Sequence, residues 1–172
     1  MGMECCNPCQ TPMENRLKLS KNDDSDAVDP TEYRSIVGSL RYLVNTRPDI
    51  GFAVGLVSRY MEAPTSQHMA AVKHIIRYVS GTTSHGCRYE RNGSSALKLV
   101  GYTDSDHAGN EDDRKNTTGM VFFLGSSCVT WASQKQKTVA LSSCEAEYIV
   151  AATGACQGVW LSRLIGELSE GR

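Results

Sequence analysis

The first strong periodicity along the chain begins at Pro30. Tyr33, Ile36, Val37, Leu40 and Val44 recur at three- and four-residue spacing, which predicts an amphipathic helix opened by the proline. Thr46-Arg47-Pro48-Asp49 breaks that pattern and restarts it. Pro48 suits a first helical turn, where its missing N–H costs nothing, and Asp49 suits the positive end of a helix dipole. Phe52, Val54, Leu56, Val57 and Tyr60 supply the apolar positions of this second helix, which Ala63-Pro64 closes. Thr65 is placed to cap a third helix with Met69, Val72, Ile75, Ile76 and Val79 on its apolar side and Gly81 as its stop. Lys73, His74 and Arg77 occupy the remaining face, which reads either as a solvated surface or as a nucleic-acid contact.

Near residue 86 the period shortens to two. Cys87–Arg91 and Leu97–Thr103 read as strands around a turn at Asn92-Gly93-Ser94. Gly119–Leu124 and Cys128–Ser133 read as a hairpin around Gly125-Ser126-Ser127. The last element is a long helix beginning near Ser142, with Ser142 and Glu145 at capping-box spacing. Val150, Trp160, Leu161, Leu164, Ile165 and Leu168 are its expected core contacts. Residues 1–29 are polar, contain Pro8 and Pro12, and predict a mostly irregular lead-in. The order is three helices, several antiparallel strands and one long helix, an α+β class. Its expected divisions are an irregular lead-in at 1–29, a helical segment at 30–85 and a strand–helix domain at 86–172.

Composition narrows this picture without changing it. At 172 residues, 40% hydrophobic and 22% charged, the chain has room for one ordinary domain or a small domain with a packed appendage. No apolar run approaches the roughly 20 residues of a membrane-spanning helix, so no membrane partner is expected. The start lacks the basic-then-apolar order of a secretory signal, and the seven scattered cysteines read as reduced thiols of a cytoplasmic or nuclear protein. Cys6-x-x-Cys9 has no second pair to complete a zinc site. The net charge of −1 hides a division: residues 1–29 carry −3, residues 30–96 carry +4 and residues 97–172 carry −2, with carboxylates gathered around 104–113. A basic block beside an acidic pocket suits a phosphate-backbone partner and a divalent cation.

Two carboxylates stand out. Asp104 ends the strand Leu97–Thr103, where a rigid sheet holds it at the solvent boundary, as a metal ligand would need. Glu147 lies in the first turns of the long helix, whose following turns carry Ala151, Gly154, Ala155 and Gly158. Small side chains would let that helix lie close to the sheet and bring Glu147 over the strand end, within several ångströms of Asp104. Such a pair could share Mg²⁺, which prefers hard oxygen ligands. On spacing alone a second reading stays open for each: a turn-forming aspartate at a strand end, and a dipole partner at a helix start. Glu145 is expected to cap the helix, and Asp106, Glu111, Asp112 and Asp113 are expected on a solvated loop. His107 follows Asp106, but no recognisable motif places a Ser or Cys nucleophile relative to it, so a hydrolase triad is unsupported, and there is no P-loop or dinucleotide fingerprint.

The longer strings carry a resemblance. Tyr33-Arg34-Ser35-Ile36-Val37-Gly38-Ser39-Leu40-Arg41-Tyr42-Leu43, Thr46–Ile50 and Ala71–Thr82 resemble the region after the polymerase core in copia-type retrotransposon Pol polyproteins. The second half is similar over Gly101-Tyr102-Thr103-Asp104-Ser105-Asp106-His107-Ala108-Gly109, Arg114–Gly119, Trp131–Lys137 and Val139–Tyr148. The resemblance runs from about Asn7 to Leu168. It implies the end of a reverse transcriptase, a thumb- or connection-like helical segment, followed by a truncated ribonuclease H-like sheet and helix. The implied reaction is Mg²⁺-dependent cleavage of the RNA strand of an RNA–DNA hybrid, with Asp104 and Glu147 as the first two catalytic, metal-holding carboxylates. The polymerase motif Tyr-x-Asp-Asp is absent, and the family's third and fourth carboxylates are expected beyond the long helix, near where this sequence ends. The expectation is therefore a piece with little catalytic power of its own, an RNA–DNA hybrid or other nucleic acid as partner, and an unpaired sheet edge open to self-association. The rival expectation is a non-catalytic, effector-like binding module.

Overall fold

The computed structural model describes residues 6–15, 17–89, 98–106 and 112–170. The chain divides into two compact units, one of Met1–Gly86 with Asn110–Arg114 and one of Cys87–Gly109 with Lys115–Arg172.

The first unit is helical. Helix α1 spans Pro30–Leu43, α2 spans Gly51–Val57 between short 3-10 turns at Pro48–Ile50 and Ser58–Tyr60, and α3 spans Ser66–Gly81. Asp29 caps α1 by accepting from the Thr31 N–H at 2.8 Å. The predicted stripes form its core: Tyr33, Val37 and Leu40 of α1 meet Val54, Leu56 and Val57 of α2 and Met69, Val72 and Ile75 of α3. Phe52 departs from expectation at 46% exposed, because α2 is too short to bury more than one face. The fully buried Tyr33 keeps its hydroxyl satisfied by donating to the Val57 carbonyl at 2.8 Å.

The described residues of the lead-in form no helix, yet they pack. Leu19 is buried in the same core, and its carbonyl accepts from the Tyr60 hydroxyl at 2.7 Å. Ala27 bridges Thr65, and Ser66 N–H donates to Asp26 at 2.8 Å. Asp112, expected on a solvated loop, accepts from the Ser20 hydroxyl at 2.7 Å and from the Lys21 N–H at 3.0 Å.

At the start of α3 the Thr65 N–H donates to Nδ1 of His68 at 2.9 Å, so a histidine takes the place of the usual glutamate in the capping box. His68 is wholly buried and stacks on Tyr60 with ring centroids 4.0 Å apart. Burial pushes its pKa below the ordinary value, and the nearby Asp23 carboxylate offsets only part of that. The native state therefore holds His68 neutral while the unfolded chain takes up a proton near pH 6.5. Stability from this site is complete above that pH and is lost as pH falls toward the lowered native value. Urea unfolding of the first unit should show a midpoint falling between pH 7.5 and 5, and a His68→Gln chain should lack that slope. An equal slope in both would assign the pH dependence elsewhere.

The second unit is a three-stranded antiparallel sheet, β1 Leu99–Ser105, β2 Thr117–Leu124 and β3 Ser127–Lys135 in that spatial order, followed by α4 at Ser143–Glu170. The β2–β3 turn is Gly125-Ser126, with Gly125 at φ +62°, where glycine avoids the Cβ penalty. The register shifts between Phe122 and Phe123, leaving Val129 as the extra residue of a bulge. The strand expected at Cys87–Arg91 is not formed over Cys87–Tyr89; the rest of it, and the turn Asn92-Gly93-Ser94, lie outside the described residues.

Helix α4 buries Ala146, Val150 and Leu161, as its period predicts in part. Trp160, Leu164 and Leu168 are instead 56%, 37% and 68% exposed. A 28-residue helix is about 42 Å long, whereas strands of 7–9 residues reach about 30 Å at most, so its last turns outrun the sheet. Six cysteines among the described residues are free thiols, and no helix of the described residues is long and apolar enough to cross a membrane.

Candidate functional site

Glycines set how α4 meets the sheet. A side chain at Gly154 would collide with the Thr103 methyl, and one at Gly158 would meet Phe122 at 3.4 Å. Phe122 is the ladder partner of Gly101, itself bare so that the Phe122 ring can lie over it. Passing from Gly158 to Gly154 on the helix thus corresponds to passing from residue 101 to 103 on β1, and the two elements run antiparallel. Ala151 and Ala155, expected on the sheet side, are exposed; the contact line is Ala146, Val150, Gly154, Gly158 and Leu161. A helical turn carries 100° per residue, and this line is rotated from the expected one by roughly 60–80°.

This crossing brings both candidate carboxylates to one end of the unit. Asp104 is the next-to-last residue of β1, opposite Gly119, and Glu147 lies about 10 Å along the helix axis from Gly154, toward that same end. Both are exposed. Asp104 folds back, its Oδ1 accepting from the Ser105 N–H at 2.9 Å. Strand alternation turns Asp104 away from the ribbon side on which Thr103 meets α4. Among the described hydrogen bonds the two carboxylates have no partner in common.

The neighbouring acids have structural work. Glu145 caps as predicted: its backbone N–H donates to the Ser142 hydroxyl at 3.1 Å, and its carboxylate accepts from the Leu141 N–H at 2.6 Å, one residue before the expected donor. Asp106, expected in solvent, is half-buried; its N–H donates to the Thr117 carbonyl at 3.1 Å while its carboxylate accepts from the Thr117 N–H, locking the β1 end onto β2. Sequence reasoning passed over Gln136, which is 5% exposed. Its backbone N–H donates to Asn116 at 2.8 Å, and its side chain donates to Thr118 at 3.3 Å and to the Ala146 carbonyl at 3.4 Å. It ties the end of β3 to the first turn of α4, and its place in Trp131-Ala132-Ser133-Gln134-Lys135-Gln136-Lys137 was its only signal.

Hard carboxylate oxygens at Asp104 and Glu147 suit Mg²⁺ in kind. In number they fall short: among the described residues no group of three His, Cys, Asp or Glu side chains is placed to hold a metal ion. The described residues do not by themselves complete a site for the cation that the resemblance implies.

In the first unit, the face of α3 read as solvated or nucleic-acid-contacting is partly taken. Arg77 Nε donates to the Asn7 carbonyl at 2.8 Å, and His74 Nε2 lies 3.0 Å from the Thr11 carbonyl. Other basic residues of the block are used internally: Arg47 is 4% exposed, and Arg34 donates to the Met61 carbonyl at 2.8 Å.

Comparison with known proteins adds what geometry alone does not. No family model matches the chain, and no solved structure matches it significantly. It is 43% identical over 167 residues, 97% of its length, to the retrovirus-related Pol polyprotein from transposon RE1 of Arabidopsis thaliana. It is 43% identical over 174 residues to that from transposon TNT 1-94 of Nicotiana tabacum. The chain spans 11% and 13% of those two proteins, about a tenth of their length. It is also 44% identical over 131 residues to secreted RxLR effector protein 161 of Plasmopara viticola, of which it spans 91%.

Proposed function

We propose that the chain, similar over 97% of its length to retrovirus-related Pol polyproteins, is a stretch of a copia-type polyprotein of that kind, the one joining the end of the reverse transcriptase to the start of the ribonuclease H domain. In this reading residues 30–85 are the thumb- or connection-like part that grips a primer–template, and residues 86–172 open a ribonuclease H-like domain. Asp104 and Glu147 are the first two of the carboxylates that would hold Mg²⁺ for cleavage of RNA in an RNA–DNA hybrid.

The observation that carries the reading is the antiparallel crossing of α4 on β1 through Gly154 and Thr103. It brings the strand-end Asp104 and the early-helix Glu147 to one end of a sheet-then-helix unit. Two exposed carboxylates do not fix two ions at a working separation, so the 172-residue chain contributes binding and shape rather than turnover.

The test is a labelled hybrid incubated with the purified chain in Mg²⁺. The expected result is binding that weakens steeply with salt and no cleavage above background. Cleavage that disappears on Asp104→Asn would show that the chain completes its own metal site and would overturn the non-catalytic half of the proposal.

A second reading, a non-catalytic effector-like binding module, is favoured by one observation: the Plasmopara viticola relative, called a secreted effector, is matched over nine-tenths of its length. Protein partners retained after nuclease treatment, together with no affinity for the hybrid, would favour it.

A further inference from the structure

We propose that residues 7–14 form an intramolecular strap over the outer face of α3, and that the face beneath it is a docking surface for the sugar–phosphate backbone of an RNA–DNA hybrid. This rests on the reading of the helical unit as a nucleic-acid contact and adds how that contact is regulated.

The strap's bonds imitate those of a phosphate backbone. Arg77 and His74 lie one turn apart on α3, and each meets a main-chain carbonyl oxygen of the strap, Asn7 at 2.8 Å and Thr11 at 3.0 Å. His74 Nδ1 also lies 3.8 Å from the Glu14 carboxylate. Oxygen acceptors thus stand where phosphate oxygens would, and Lys73 extends the same face into solvent. Charge points the same way, since the strap carries the Glu14 carboxylate and the face it covers carries Lys73 and Arg77.

The strap is also built to come away. Its residues form no helix or strand, so its release breaks no ladder, and of its side chains only Cys9 and Met13 are apolar residues packed against the core. Behind it, Met13, Glu14 and Leu17–Leu19 line a cavity of about 380 Å³ against Gln67, Ala70, Ala71 and His74 of α3. Beyond the cavity the chain is fixed, at Leu19 by Tyr60 and at Ser20 and Lys21 by Asp112. The strap therefore lies ahead of a firm anchor. Its far end closes on Gly81, where an added Cβ would stand 2.5 Å from Cβ of Pro8. That contact is a lever that leaves Lys73, His74 and Arg77 untouched.

The experiment uses the full chain and a fluorescent RNA–DNA hybrid of about 20 base pairs, in EDTA so that nothing is cut; a backbone of that length spans both basic turns of α3. Gly81→Ala and Pro8→Gly loosen the strap by two routes; Gly81 has no left-handed φ, so alanine is tolerated there. Amide exchange over residues 7–14 should quicken in both variants, and in the unaltered chain when hybrid is added. Hybrid affinity at low salt should rise on the order of tenfold, with the log–log salt slope steeper by about 1–2. Adding Arg77→Ala to Gly81→Ala should remove the gain and return about 1 of that slope. Unchanged exchange in both variants, faster exchange without tighter binding, or a gain that survives Arg77→Ala would each overturn the strap. If the unaltered chain binds and only the gain is missing, the nucleic-acid reading stands without the strap. If no version binds the hybrid, that reading fails and the strap falls with it.

Discussion

Arg47→Ala should unfold the helical unit more readily than any other single truncation of its polar side chains, at a cost of about 3 kcal/mol. Arg47 is 4% exposed and makes five charge-assisted contacts. Its Nε and Nη2 grip Asp49 at 2.9 and 2.7 Å, and its Nη1 and Nη2 donate to the carbonyl and hydroxyl of Thr82 at 2.9 and 2.7 Å. Nε lies a further 3.3 Å from the second Asp49 oxygen. Tyr78 completes the ring, donating to Asp49 at 2.8 Å and lying 5.7 Å under the guanidinium. One side chain thus joins the α1–α2 turn to the end of α3. Removing it strands Asp49, and because that side chain is 35% exposed the lower end of the expected range applies.

Arg47→Lys should recover only part of the loss, since an ammonium cannot span a carboxylate and Thr82 together. The Arg47 hydrogen bond holds the Asp49 carboxyl below the usual range, so this stabilisation is present above about pH 4 and is lost as pH falls through the lowered value. The gap between Arg47→Ala and the parent should narrow below pH 4. Amide exchange resolved by unit is the suitable readout, with fluorescence of Trp131 and Trp160, both in the second unit, as the control that should not move. An Arg47→Ala chain with parental protection over 30–82 would sink this account.

Gly154→Leu should separate α4 from its sheet. Relieving the Thr103 clash demands that the helix lift or that Thr103 turn, and overpacking of this kind costs about 1–3 kcal/mol, more when backbone must move. Against it stands only a helix-propensity gain of about 1 kcal/mol for replacing a mid-helix glycine. Alanine already brings the colliding Cβ, so Gly154→Ala should lie modestly below the parent, and Gly154→Leu clearly further below, in a urea titration followed by Trp160. Thr103→Ala should rescue part of the leucine's deficit, giving a coupling in a double-mutant cycle. Parental stability for Gly154→Leu would mean that the close approach is not what holds the helix.

Local rules made much of the fold legible in the sequence. Pro30, Thr65 and Ser142 each open a helix close to where capping chemistry places them, and alternation around Gly125 gave the hairpin. What escaped is what depends on distance along the chain. Nothing local says that Arg47 will find Thr82, that Asp112 will hold Ser20, or that Gln136 will reach Ala146. The alternating segment Cys87–Arg91 imitates a strand locally, but Cys87–Tyr89 forms no strand. For the site, small residues on α4 correctly foretold a close helix, yet a rotation of less than one residue step decided that Ala151 and Ala155 face solvent. The assignment of Asp104 and Glu147 came from resemblance, because spacing left each with a structural alternative.

The hold of Asp112 on Ser20 and Lys21 carries a consequence for synthesis. Residues Asn110–Arg114 belong to the helical unit although β1 precedes them, so the chain leaves that unit, makes its first strand and returns before continuing. On a ribosome adding about 5–20 residues per second, the three helices emerge seconds before the residue that fastens their lead-in. The helical unit is thus complete only after β1 has been made, and a protease nick or gene boundary near Gly86 would deprive it of its own clasp.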